Sequence, residues 1–194
     1  MDPDAQLMLK VREGDLDAYD ALVRRYQFAL VNFFFKLIWN RQDAEDFAQD
    51  VFVKVFVARE QYQERAKFST YLFRVAANYW IDYLRTKGKR KKAVSLDQGA
   101  FSTEEREHKL GDALASDHRS PPDELLRNEL WHKTQEAIES LPEDQKIPFL
   151  LCETQGMKYQ EIADTLDLPL GTVKSRIHAA VMKLREMLVT KGVM

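Results

Sequence analysis

KYQEIADTLDLPLGTVKSRIHAAVMKLR, residues 158–185, reads as two short helices with a tight break between them. Ile162, Ala163 and Leu166 give the first helix an apolar stripe. Asp167-Leu168-Pro169 interrupts it, because proline cannot continue a helix but can open one. From Val173 the apolar residues recur at Ile177, Ala180, Val181, Leu184 and Leu188, a spacing that keeps one helical face buried. Thr172, Ser175, His178, Ala179 and Met182 then project away from that face, with Lys174 and Arg176 on its flanks. Small Ala163 stands where two crossing helices must approach closely. Donors and cations near the start of a second helix suit a helix-turn-helix that meets phosphates and base edges. The plainer alternative is an αα-hairpin with a solvated polar face.

The rest of the chain is organised around helices too. Its 194 residues suffice for one large domain or two small ones, and hydrophobic residues at 45% can build cores. Seven Gly and six Pro are few, which suits an all-α fold. The net charge of −2 argues against a uniformly basic DNA-coating protein, yet it hides a polarity along the chain. Between Gln61 and Lys92 nine bases face two acids, whereas residues 93–130 carry nine acids against four bases. A basic block followed by an acidic one suggests a nucleic-acid surface beside a solvated or self-shielding linker.

Cys152 is the single cysteine, which excludes an intramolecular disulfide and a cysteine-based metal cluster; four scattered histidines add no ligand spacing. No metal and no cofactor is expected. The first residues carry acids rather than a basic start and an apolar core, so no signal peptide is expected. The apolar run Phe28–Trp39 is broken by Asn32 and Lys36 and is too short to span a bilayer, so it reads as a core helix. These features lead to the expectation of a cytoplasmic protein without membrane insertion.

Three units follow from the pattern: a helical domain over 6–87, a flexible linker over 88–122 and a second helical domain over 123–189. In the first, Gly14-Asp15 separates a short helix from a long one whose Ala18, Leu22, Tyr26, Ala29, Phe33 and Leu37 hold helical spacing. Asp15 or Asp17 is available as its N-cap. Over 41–60, Ala44, Phe47, Ala48, Val51 and Val55 line one face, while Asp43, Asp46 and Asp50, with Gln49 beside them, form an acidic stripe. Acids at this spacing repel each other and are usually interleaved with Lys. The stripe is either a solvated face or a docking edge for a basic partner.

Polar residues 61–69 read as a loop leading into TYLFRVAANYWIDYLR, residues 70–85. Leu72, Val75, Ala76 and Tyr79 suit packing. Tyr71, Arg74, Asn78, Asp82 and Arg85 look exposed, and aromatics interleaved with cations and an amide suit stacking on unpaired bases. In the second domain one helix ends at Leu141-Pro142 and another spans Glu143–Gln155, where Pro148 should kink it or mark a later start. No Gly-rich phosphate loop, Ser/His/Asp grouping or acid–base carboxylate pair is present, so no catalysis and no small-molecule substrate are expected.

In this order and spacing the modules resemble the bacterial sigma-70 family, specifically the small extracytoplasmic-function (ECF, group IV) sigma factors that keep only the second and fourth conserved regions. DAEDFAQDVFVKVF at 43–56 looks like region 2.2, and FSTYLFRVAANYWIDYLR at 68–85 like regions 2.3 and 2.4. LPEDQK at 141–146 opens region 4, with YQEIA and PLGTVKSRI as its helix-turn-helix. The resemblance implies that Asp43, Asp46, Gln49 and Asp50 grip the β′ clamp helices of the RNA polymerase core, with region 4 at the β flap. It implies −10 promoter recognition and melting through Lys67, Phe68, Tyr71, Arg74, Asn78 and Arg85. It implies −35 reading in the major groove by Thr172, Lys174, Ser175, Arg176 and His178. An anti-sigma factor is a further expected partner, and the linker would thread towards the RNA exit path. Lys158 and Ala179 depart from the family pattern, where a capping Ser and a second Arg are common, and Pro148 has no clear counterpart. The alternatives are a stand-alone helix-turn-helix regulator with residues 1–87 as an input domain, and a helical hydrolase or ligand-binding domain.

Overall fold

The computed structural model describes the backbone of residues 2–97 and 121–192, with side chains placed for 2–87 and 129–192. All regular structure among these residues is helical: α1 (Pro3–Arg12), α2 (Leu16–Ile38), α3 (Arg41–Val57), a 3-10 turn at Arg59–Gln61, α4 (Phe68–Asp97), α5 (Pro121–Glu139), α6 (Glu143–Gln155), α7 (Tyr159–Leu166) and α8 (Leu170–Thr190).

Caps written in the sequence set the boundaries of the first helices. The Asp15 side chain accepts the Ala18 N–H at 3.0 Å and starts α2; Asn40 accepts the Asp43 N–H at 3.1 Å and starts α3. Trp39 ends α2 in the left-handed region at φ 56, an uncommon conformation for a bulky residue that its burial at 6% exposure holds in place. α2 and α3 form an antiparallel pair. Leu22, Leu30, Phe33, Phe34 and Leu37 of α2 meet Ala44, Ala48, Val51 and Val55 of α3 in one continuous core. The rings of Phe33, Phe34, Phe47, Phe73 and Tyr79 meet edge to face at centroid distances of 5.1–6.0 Å. Each fully enclosed aromatic contributes about 1.5–3 kcal/mol by burial.

α4 continues from Gly88 to Asp97, into the stretch expected to be linker. Lys and Arg are good helix formers and no proline follows until Pro121, so the backbone can extend the helix in water. The remainder of the expected linker, residues 98–120, lies outside the described residues.

In the C-terminal half, α6 runs unbroken through Pro148, which is buried with Ile147, Leu150 and Leu151. Only the hydrogen bond that a residue at 148 would donate to Asp144 is forfeited, and the helix N-terminus is anchored by Pro142, whose carbonyl accepts from Gln145 and Lys146. α7 and α8 form the expected helix-turn-helix. Asp167 takes the left-handed φ of 53 that closes α7, a conformation in which Asp is enriched, and Pro169 precedes α8. Val173, Ile177 and Ala180 are buried as expected, but Val181 is 44% exposed. The α8 face turned to α6 is narrower than the sequence stripe, which leaves Val181 with Met182 on the solvent side.

The two halves pack together. Trp131 of α5 stacks on Phe35 (6.2 Å, 22°) and meets Trp39 edge-on (5.2 Å, 83°), while the Lys36 ammonium lies over both Trp rings at 4.4 and 4.9 Å. Burial lowers the Lys36 pKa, consistent with an ammonium held by ring faces rather than by water. The Trp80 indole donates to Glu143 at 2.8 Å, and Glu143 also takes the ammonium of buried Lys146 at 2.9 Å.

Candidate nucleic-acid interface

Tyr71, Arg74, Asn78 and Arg85 of α4 follow one another at spacings of three, four and seven and so occupy one edge of the helix, with Lys67 just before its first turn. Arg74, Asn78 and Arg85 are exposed and Tyr71 is half-buried, whereas Leu72, Phe73, Ala76, Ala77 and Trp80 form the inner face. Phe68 corrects its expected role. It is fully buried, with its ring 5.3 Å from Tyr26 and 6.3 Å from Tyr71, so it supports the edge from beneath and does not face a ligand.

Beneath the 61–69 loop lies Tyr62, 3% exposed, which sequence reasoning missed because it sits within a polar run. Its ring meets Tyr71 at 5.1 Å. Its hydroxyl has no hydrogen-bond partner among the described residues, and its pKa is pushed up to about 12 by burial first and then by Asp2, Glu64 and Tyr71.

On α3, Asp46, Gln49 and Asp50 are exposed and Asp43 is half-buried. The four do not form a uniform stripe. The Asp50 carboxylate accepts the Tyr79 hydroxyl at 2.6 Å, and burial followed by this bond raises the Tyr79 pKa. Asp46 takes only the neighbouring Gln42 amide at 3.3 Å, so it is the freer acid.

On α8, Lys174, Ser175 and His178 are exposed, and Thr172 and Arg176 are half-buried. The Ser175 hydroxyl donates to the Thr172 carbonyl at 2.9 Å, a local bond that a base or phosphate acceptor can replace. The Arg176 guanidinium lies 3.6 Å from Asp144 of α6, an ion pair that links α8 to α6. Lys158 supplies no capping oxygen to α7. Glu161 reaches back instead and accepts the Lys158 N–H at 2.9 Å, so half of a capping box survives.

The −10 candidate edge meets α7. The Lys67 ammonium bonds Glu161 of α7 at 2.5 Å, and the Arg74 guanidinium donates to the Asp164 carbonyl of the same helix. The Lys67 hydrogen bond, helped by the Lys158 N–H, lowers the Glu161 pKa, and Glu161 raises that of Lys67. Lys67 and Arg74 therefore spend donors on the first helix of the helix-turn-helix. No group of three or more His, Cys, Asp or Glu side chains is arranged for a metal among the described residues, and none of their helices is long and apolar enough to cross a membrane.

Residues 22–90 match the family described as sigma-70 region 2, and residues 132–184 match sigma-70, region 4. The RNA polymerase sigma-H factor of Pseudomonas aeruginosa is 33% identical over 177 residues, covering 91% of this chain and 89% of the relative. The ECF RNA polymerase sigma-E factor of Haemophilus influenzae is 32% identical over 188 residues, covering 97% and 94%. The fold is shared with CnrH, solved with the cytosolic domain of CnrY, at a TM-score of 0.68 and 23% identity over 97% of this chain and 99% of that one. It is also shared with the Bartonella quintana sigma factor RpoE, solved with the anti-sigma factor NepR, at a TM-score of 0.64 and 21% identity over 88% and 96%. With both conserved regions matched in order and relatives aligned over nine-tenths of its length, the chain belongs to the sigma-70 family as an ECF sigma factor, which directs RNA polymerase to specific promoters.

Proposed function

We propose that this sigma factor reads its promoter at two surfaces and grips the polymerase core at a third. The observation that carries the reading is the exposed edge Arg74, Asn78 and Arg85, flanked by Lys67 and Tyr71, on a helix packed behind the acidic face of α3. In opened −10 DNA an unpaired base can stack on Tyr71 and take hydrogen bonds from Asn78 and Arg74, while Lys67 and Arg85 hold phosphates. Thr172, Lys174, Ser175, Arg176 and His178 present donors to the −35 major groove, with Arg176 suited to guanine O6 and N7.

Asp46 leads the α3 surface towards the basic face of the β′ clamp helices. Asp43, Gln49 and Asp50 flank it, and region 4 meets the β flap. The units 6–87 and 123–189 act as separate domains joined through 88–122. Reading both elements at once requires α7 to leave Lys67 and Arg74, which ties promoter engagement to domain separation. The CnrH and RpoE likenesses support an anti-sigma partner for this chain, and a cytoplasmic location follows from its work on the polymerase. The factor supplies recognition and melting and catalyses no step itself. Transcription by the reconstituted holoenzyme from templates with single-base changes in the −10 element tests the α4 edge. Arg74→Ala and Asn78→Ala should flatten discrimination at one or two −10 positions; undiminished discrimination removes those side chains from the reading.

A further inference from the structure

α1 ends at Arg12, before the region-2 match begins at residue 22, so the family match does not include it. One side of α1 is core: Ala5, Met8 and Val11 are 0–1% exposed. The helix is held on α2 by Asp4, whose carboxylate accepts the Tyr26 hydroxyl at 2.6 Å and pairs with Arg25. Gln6 and Arg12 of α1, with Asp2 at its N-cap, reach across to the segment that leads into α4. The Asp2 carboxylate accepts the Phe68 N–H at 2.6 Å, across 66 positions of sequence, and so caps the first turn of α4. The Gln6 amide donates to the Glu64 carboxylate at 3.1 Å. The Arg12 guanidinium donates to the Tyr62 carbonyl at 3.4 Å, the longest of the three contacts.

The segment these groups hold has little internal structure. Between Tyr62 and Lys67 its own bonds are the Arg65 N–H to the Gln63 carbonyl at 2.8 Å and the Arg65 side chain to the Gln63 amide oxygen. It nevertheless buries Tyr62 with an unpartnered hydroxyl, an arrangement that persists only where neighbouring packing enforces it. Loop side chains that read a base need their geometry fixed before the base arrives. Besides the Lys67–Glu161 pair and the packing of Tyr62 on Tyr71, the fixed points of the loop among the described residues are those supplied by α1.

We propose that Asp2, Gln6 and Arg12 are positioning residues for −10 recognition: α1 is a strap that sets the 62–68 loop and the first turn of α4, and thereby Lys67 and Tyr71. The proposal rests on the α4 edge being the −10 reader. It makes α1 a determinant of base discrimination although none of its three residues needs to touch DNA.

The test uses the full chain with core polymerase, comparing Asp2→Ala, Gln6→Ala, Arg12→Ala, their combination and Asp2→Asn. Two ratios are measured: cognate against base-substituted −10 elements, and cognate against base-substituted −35 elements. Amide exchange of residues 62–68 is followed in the free proteins. The combined variant should exchange faster across the loop and lose −10 discrimination on the order of tenfold, less than the roughly hundredfold that a full 1 Å displacement can cost. Discrimination at −35 should stay unchanged, and Asp2→Asn, which keeps a side-chain oxygen for the Phe68 N–H, should retain most of the wild-type −10 ratio. Faster loop exchange with intact −10 discrimination overturns the proposal and leaves α1 a scaffold. A parallel fall in both ratios overturns it as well, since the defect is then global. Lys67→Ala and Tyr71→Ala serve as controls: if they too leave −10 discrimination intact, the assignment of the α4 edge is what fails, and the strap falls with it.

Discussion

Trp131→Ala is the perturbation that most directly probes how the two domains are held. Trp131 loses its stack on Phe35 at 6.2 Å, its edge contact with Trp39 at 5.2 Å and its share of the Lys36 ammonium at 4.4 Å. Two aromatic pairs contribute about 0.5–1.5 kcal/mol each and the cation–π contact about 0.5–1 kcal/mol. Rehydration of Lys36, whose charged form burial now disfavours, offsets part of the loss. The net is about 2 kcal/mol, or roughly a 30-fold shift from packed towards separated domains. Energy transfer between dyes at Val53 of α3 and Val189 of α8, both exposed, reads this shift in a Cys152→Ser background. Transfer should fall while the unfolding midpoint of the first domain changes little. Unchanged transfer with a lowered first-domain midpoint would instead place Trp131 in the first core rather than in a separable contact.

Three further outcomes follow from particular contacts. Asp46→Lys should weaken core-polymerase association, measured by competition for core, and leave binding of −35 duplex unchanged; Asp50→Asn should act less on core and more on the α3–α4 contact, because Asp50 is already committed to Tyr79. Arg176→Ala should cost about 1–3 kcal/mol at a guanine of the −35 element if the bidentate contact forms, and equal use of cognate and substituted −35 templates would exclude it. Glu161 has a pKa below its ordinary value, so its carboxylate supports the packed arrangement above that ordinary value, and the support is lost as pH falls through the depressed one. Energy transfer in the wild type should therefore drop on acidification in a window that is absent from Glu161→Gln.

Much of this was legible in the sequence, for physical reasons. The period of Val173, Ile177 and Ala180, the break at Pro169 and the stripe of Leu22, Phe33 and Leu37 are local signals, and the structure repeats them. The exposed face of α4 followed from the same arithmetic, since Arg74, Asn78 and Arg85 fall outside the apolar period. What local pattern could not give was anything set by contacts distant in sequence. Phe68 reads as a loop aromatic, and only Tyr26 of α2 and Tyr62, packed around it, make it core. Tyr62 carried no period at all. Asp50 joined the acidic stripe by spacing, yet its partner Tyr79 lies on another helix. Val181 was misplaced because a helical stripe gives the direction of burial, while the neighbour's width decides how far burial extends. The Lys67–Glu161 and Arg74–Asp164 contacts join residues from opposite halves of the chain, where no periodicity could have paired them.

On the proposed function, one chain supplies both promoter-reading surfaces and the core-binding face. Adding the purified protein to core polymerase on a promoter library and mapping transcript starts tests it most directly. Starts at a defined distance from a shared −10 and −35 pair, lost with Asp46→Lys and redistributed with Arg74→Ala, are the predicted result. No core association and no specific start, with duplex binding by the free protein preserved, would contradict it.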